Sequence, residues 1–181
     1  MAEPIVVELL NSTHDRAAFS CGIEPLDRYL QMRAGQDVRR RVAATYVLRA
    51  PQSPAIIGYY TLAASTLRLA SLPPDIARRL PRYTGLPALL IGRLAVDQQQ
   101  QKMGHGARLL VDACLRGLQI SERIGAIAMV VDAKDERARG FYERFGFRPL
   151  EDQNARLFMP MEAVAKSLQP GAAPLQRNQR E

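Results

Sequence analysis

The 181-residue chain has no tryptophan, only two cysteines and two histidines, and 6% aromatic residues in all, so little ring material is available for stacking. Cys21 and Cys114 lie in unlike contexts and are too few for a disulfide framework or a thiolate metal set. Neither has a nucleophile's setting, and Cys114 falls on what reads as the buried side of a helix, where any small apolar residue would serve. A reduced, cytoplasmic protein fits this usage. His, Cys and carboxylates show no metal spacing, so no metal is expected. No apolar run approaches the ~20 residues of a membrane span, and no basic segment leads into an apolar one, which predicts a soluble, unexported protein.

What is present is an ordinary globular balance, 47% hydrophobic and 24% charged, enough for one well-buried domain. Its charge is not ordinary: 25 Lys and Arg against 18 Asp and Glu leave +7, a field that draws polyanions. The arginines cluster, with Arg33, Arg39, Arg40, Arg41 and Arg49 in one group and Arg78, Arg79 and Arg82 in another. Either these are solvated faces or they meet phosphates.

Along the chain, IVVELL (Ile5–Leu10) predicts a first strand, and PLDRYLQMRAGQDV a helix with Pro25 near its first turn and Leu26, Tyr29, Leu30 and Arg33 on one face. ATYVLRA and AIIGYYTLAAS, parted by PQSP, predict an antiparallel hairpin. Leu72–Pro87 holds four prolines and predicts an irregular connection. Then strand LLIGRLAVD, helix GARLLVDACLRGLQISERIG, strand AIAMVVDA and helix DERARGFYERFG alternate, which implies a parallel pair with a crossover. In the long helix Leu109, Ala113, Gly117, Ile120 and Ile124 form a core-facing stripe. ARLFMPM supplies a closing strand, giving an α/β architecture around a mixed, twisted sheet. Residues 169–181, QPGAAPLQRNQRE, predict a flexible tail behind one domain over 1–168.

The segment QKMGHG stands where a strand gives way to a helix. A helix N-terminus leaves amides unpaired and carries partial positive charge, so it holds phosphate, and glycines let the backbone approach it. A P-loop needs Gly-Lys-Ser/Thr, but Gly106 is followed by Ala107 and Arg108; a dinucleotide fingerprint needs a third glycine where Leu109 stands. The pattern Q/R-x-x-G-x-G/A, met by Gln101, Gly104 and Gly106, resembles the pyrophosphate loop of the GNAT acetyltransferases. One crossover downstream, DERARGFYERFGF resembles that family's N-x-x-A-x-x-x-Y-x-x-x-G-F, with Ala138, Tyr142, Gly146 and Phe147 in register. AFSCGIEPLDRYL, IIGYYTLA, PRYTGLPALLIGRLAVD and VVDAKDERARGFYERFGF extend the likeness over roughly residues 5 to 162, toward the acetyltransferase toxins of bacterial toxin–antitoxin modules.

The resemblance implies a GNAT fold, a splayed sheet flanked by helices on both faces. It implies acetyl-CoA as donor, with its pantetheine along the backbone of Leu94, Ala95 and Val96, its pyrophosphate on the loop Gln101, Lys102, Met103, Gly104, His105, Gly106 and Ala107, and further contacts from Asp135 and Ala138. It implies Tyr142 as general acid, where position alone would suggest a core aromatic beside Phe141, Phe145 and Phe147. It implies acetylation of the α-amino group of aminoacyl-tRNA, which blocks translation, and a ribbon-helix-helix antitoxin as partner, with a homodimer combining two basic faces. Asp135 departs from the family's asparagine. Arg93 is a candidate for the terminal nucleotide, or for an ion pair with Asp97 or Glu136; Arg33, Arg39, Arg40 and Arg41 are candidates for tRNA phosphates. Asp97, Glu136 and Glu143 read as caps or surface carboxylates, His105 as a backbone contributor and His14 as a surface residue. Competing readings are acetylation of a small amine or protein N-terminus, and a non-catalytic acyl-CoA-binding module.

Overall fold

The computed structural model describes residues 4–170; beyond Pro170, the expected tail lies outside the described residues. In chain order the elements are β1 (Val6–Leu9), α1 (Glu24–Arg28), a π-helical segment (Tyr29–Arg33), α2 (Ala34–Arg40), β2 (Ala44–Arg49), β3 (Gly58–Arg68), α3 (Pro74–Ala77), β4 (Gly85–Val96), α4 (His105–Ile124), β5 (Ala128–Asp132), α5 (Glu136–Arg144), β6 (Arg148–Pro149), β7 (Arg156–Pro160) and α6 (Met161–Ser167). The seven strands form one mixed sheet in the order β1-β2-β3-β4-β5-β7-β6. The chain divides into two compact units, one running to Ala63 and resuming over Ile91–Ala113, the other comprising Ala64–Leu90 and the residues from Cys114 onward.

In the first unit, β-branched and aromatic alternation builds an antiparallel meander, with Val7 opposite Leu48 and Thr45 opposite Thr61. Phe19, Leu30 and Ala34 pack with the meander's own Val47 and Tyr59, each no more than 2% exposed. The expected helix forms with Pro25 in its first turn, but the π-helical segment changes its phase. Arg33, expected on the buried face, is exposed, and Ala34 takes the buried place. His14, expected at the surface, is buried: Nδ1 accepts from the Asn11 amide at 3.0 Å, which leaves Nε2–H to donate to Glu8 at 2.8 Å. Both ring nitrogens are thereby satisfied, which makes burial tolerable.

The second unit centres on β5, antiparallel to β7, with β6 beyond it. Leu67, Leu86, Val130 and Phe158 fill its core. The connection expected to reach Pro87 ends sooner, because β4 begins at Gly85 and Pro87 uses its carbonyl to accept from the Ile127 amide at 2.8 Å. Ser71 Oγ donates to Asp152 at 2.9 Å, and Asp152 also pairs with Arg68. Along α4 the apolar stripe ends before Ile124, which is 71% exposed. Among the described residues no helix is long and apolar enough to cross a membrane, and no group of His, Cys, Asp and Glu is placed to hold a metal ion.

Candidate active site

The glycine loop is built from the end of β4 outward. Asp97 is fixed by its own amide on Ile57 O at 2.8 Å, and its carboxylate accepts from the amides of Ser20 at 3.1 Å and Gln99 at 2.9 Å. It thus caps the short 3-10 turn Gln98–Gln100. Gln101, expected among the cofactor contacts, turns its side chain inward and donates from Nε2 to Cys21 O and Val96 O, because those two carbonyls need donors where the chain leaves the sheet. It anchors the loop, and its side chain is not offered to an anion.

Past this anchor the backbone turns through two left-handed residues, Lys102 at φ 67° and Gly104 at φ 83°. A Cβ on Gly104 would meet nothing within 4 Å, so glycine is needed there for its dihedral, and the space above the residue is open. Helix α4 starts at once with His105, and its first turn closes with the Arg108 amide on Gly104 O at 3.1 Å. The loop thus leads straight into the orphan amides of a 20-residue helix, with Lys102 and the 65%-exposed Met103 at its crown. Desolvation, then the nearby Arg108, lowers the His105 pKa, so its imidazole is neutral at neutral pH.

Tyr142 is placed by α5. Asp135 caps that helix, its carboxylate accepting from the Ala138 amide at 2.7 Å. The Ala138 N–H and the facing oxygen of Asp135 are therefore spent on each other, which removes the simplest ligand contact for either. Tyr142 is 6% exposed and meets Phe141 and Phe147 edge-on, with ring centroids 5.2 Å and 5.8 Å away. Burial, and secondarily the charge of Asp132, raises its pKa. Three other buried or half-buried tyrosines spend their hydroxyls: Tyr29 on Asp37 at 2.8 Å, Tyr59 on Leu26 O at 2.7 Å and Tyr60 on Asp112 at 2.6 Å. Among the described residues the Tyr142 hydroxyl makes no hydrogen bond. The oxygen is not among the fully buried unpaired side-chain atoms, of which Thr45 Oγ1 is the one among the described residues, so the tip of an otherwise buried phenol reaches the surface with its donor unspent.

Arg93 forms neither of the ion pairs considered for it. Its guanidinium lies over the Tyr29 ring, 3.6 Å from the centroid. Burial, and then the bond to Asp37, pushes the Tyr29 phenol up to about 12. Residue spacing carries no sign of this assembly, since the π-helical turn sets where Tyr29 and Asp37 face. Arg33, Arg39, Arg40 and Arg41 are all exposed on the helix and its left-handed C-terminal residue, Arg41 at φ 58°. Arg49 is not free with them: it pairs with Glu8 and donates to Ala50 O and Pro51 O. Glu143 pairs with Arg139 at 2.8 Å within α5, and Glu136 is exposed on its first turn.

A family model described as Acetyltransferase (GNAT) domain matches residues 46–149. The chain is 29% identical over 170 residues to a probable toxin TacT of Sinorhizobium fredii, covering 90% of this chain and 94% of that protein. It is 33% identical over 138 residues to a tRNA-acetylating toxin of Mycobacterium tuberculosis, covering 76% and 81% respectively. Among solved structures it resembles AtaT complexed with acetyl-methionyl-tRNAfMet, with TM-score 0.84, 29% identity and coverage of 90% of this chain and 98% of that one. It also resembles a tyrosine-to-phenylalanine mutant of AtaT bound to the C-terminus of the antitoxin AtaR and acetyl-CoA, with TM-score 0.74, 27% identity and coverage of 88% and 95%.

Proposed function

This chain belongs to the GNAT acetyltransferase family, and we propose that it is a toxin that moves acetyl from acetyl-CoA to the α-amino group of an aminoacyl-tRNA, blocking translation. The observation that carries this reading is the likeness, over 90% of the chain, to a toxin held with acetyl-methionyl-tRNA. Residues 1–168 act as one catalytic domain in the cytoplasm, as a homodimer, with a ribbon-helix-helix antitoxin as partner.

The roles follow from the local chemistry. The amides from Lys102 to Ala107 receive the diphosphate of acetyl-CoA, with the Lys102 charge beside them, and Gln101 keeps that turn in shape. The backbone of Leu94, Ala95 and Val96 runs alongside the pantetheine as a neighbouring strand would. The neutral acceptor amine attacks the thioester carbonyl, the C–S bond breaks, the departing thiolate takes a hydrogen bond from Tyr142, and the proton shed by the nitrogen passes through solvent to the sulfur. With ordinary values near ~10 for a phenol and ~8.5 for a thiol, full proton transfer is uphill by about 2 kcal/mol, and the raised Tyr142 pKa makes it more so. Tyr142 therefore acts by a hydrogen bond that tightens as the sulfur gains charge. An α-amino group has a pKa of ~7.7–8.0, and an ester on the same residue lowers it, so enough neutral amine exists without a dedicated base. Arg33, Arg39, Arg40 and Arg41 supply phosphate contacts whose strength falls with salt.

Incubation with radiolabelled acetyl-CoA and a pool of charged tRNA tests this reading. Label is expected on charged tRNA alone; equal label on uncharged tRNA or on free amines would overturn it.

A further inference from the structure

Arg93 is a half-buried cation on β4, immediately before the Leu94–Val96 stretch. Among the described residues none of its N–H donors has a hydrogen-bond partner or a carboxylate; the face of Tyr29 is its contact. That ring is itself braced, its hydroxyl bonded to Asp37 and its centroid 6.4 Å from that of the nearly parallel Tyr59 ring. Tyr29 also opens the π-helical segment, a conformation concentrated at functional sites because an otherwise regular helix gives up better geometry to adopt it. A half-buried guanidinium that lacks a counter-ion loses part of its hydration, and stacking on a ring offsets only part of that cost. Its fork of donors, held in one orientation by the ring, matches the two free oxygens of a phosphodiester.

We propose that Arg93, braced by Tyr29, binds a phosphodiester of the single-stranded 3′ end of the aminoacyl-tRNA and so fixes the acceptor's register along β4. This rests on the reading of the chain as an aminoacyl-tRNA acetyltransferase. A phosphate of the cofactor has the same chemistry, so the experiment separates the two sources.

Arg93→Ala and Arg93→Lys are compared with wild type by steady-state acetylation of charged tRNA over a salt series, by calorimetric titration with acetyl-CoA, and by binding of a fluorescent CCA trinucleotide. For Arg93→Ala, KM for charged tRNA is expected to rise about ten- to a hundred-fold, the loss of charge-assisted hydrogen bonds. The slope of log KM against log salt is expected to shrink by about 0.7, one single-strand phosphate contact, while acetyl-CoA affinity stays at the wild-type value. Arg93→Lys keeps the charge without the planar fork and is expected to recover the salt slope but not the KM. An unchanged KM and salt slope in Arg93→Ala overturns the assignment, as does an equal fall in acetyl-CoA affinity, which would give the phosphate to the cofactor. If wild type acetylates no charged tRNA yet binds the trinucleotide through Arg93, the phosphate site stands and the functional reading fails; if it does neither, both fall.

Discussion

Gln101 Nε2 donates to the main-chain oxygen of Val96 over 3.1 Å, tying the first residue of the glycine loop to the last residue of β4. A second bond from the same nitrogen reaches Cys21 O at 3.0 Å. Replacing Gln101 with leucine removes both donors and leaves two carbonyls to find water or go unpaired. At about 0.5–1.5 kcal/mol per bond for two bonds, acetyl-CoA affinity should fall roughly five- to 150-fold as the loop loses its anchor. Calorimetric titration checks this, and an unchanged dissociation constant would show that the loop holds its shape without the side chain.

Tyr142→Phe removes a hydroxyl that has no hydrogen bond among the described residues. The fold loses nothing by it, so the melting temperature should hold or rise slightly. Turnover should fall by ~10²–10⁴ with acetyl-CoA affinity near wild type. Because burial raises the phenol's pKa, the hydroxyl stays protonated through neutral pH, and no loss of activity from its ionisation should appear below the ordinary phenol range near ~10. A full-speed phenylalanine variant would remove Tyr142 from the mechanism.

Much of this site is legible in the sequence because its parts are local. The glycine loop ahead of α4 and the capping carboxylate of Asp97 each depend on neighbours a few positions away, so spacing exposes them, whereas Asp135, expected against the cofactor, caps α5. What spacing hides is whatever depends on a partner far along the chain. Gln101 reads as a ligand contact until Cys21, eighty positions earlier, is found to accept its amide. Arg93 reads as a choice between a nucleotide and an ion pair until the Tyr29 ring is found beneath it, in a helix whose phase a π-helical turn has moved. That same shift exposes Arg33 and buries Ala34, an inversion no 3.6-residue count could foresee.

Gly117 belongs to the buried stripe of α4, and a Cβ there would stand 2.2 Å from Met129 Sδ and 2.9 Å from its Cε. Met129 is fully buried on β5, so its thioether must move into already filled space. Gly117→Ala should cost about 1–3 kcal/mol by overpacking, despite alanine's better helix propensity. Combined with Met129→Ala, the clash has no second partner, so the double variant should be more stable than the sum of the single losses by at least ~0.5 kcal/mol. Urea unfolding of the four proteins measures this, and strict additivity would mean that helix and strand do not meet through these two residues.

Glu8 offers a pH signature for the N-terminal strand. Its carboxylate accepts from His14 Nε2 and from Arg49, and these hydrogen bonds, His14 first, hold its pKa below the usual carboxylate value. A depressed folded-state pKa means that the unfolded chain takes up a proton first as pH falls. The stabilisation is therefore complete above the unfolded value of about 4.3 and is lost as pH drops through the lower folded value. The Glu8 side chain is 36% exposed, so solvent screening limits the effect to about 1 kcal/mol or less. Glu8→Gln keeps an oxygen for the buried His14 but cannot ionise. At neutral pH it should unfold at lower urea than wild type, and the gap should close as the pH drops through the lowered folded-state value of Glu8 and its carboxyl becomes neutral. A gap that stays constant with pH would mean that packing around His14, and not the charge on Glu8, holds β1 to β2.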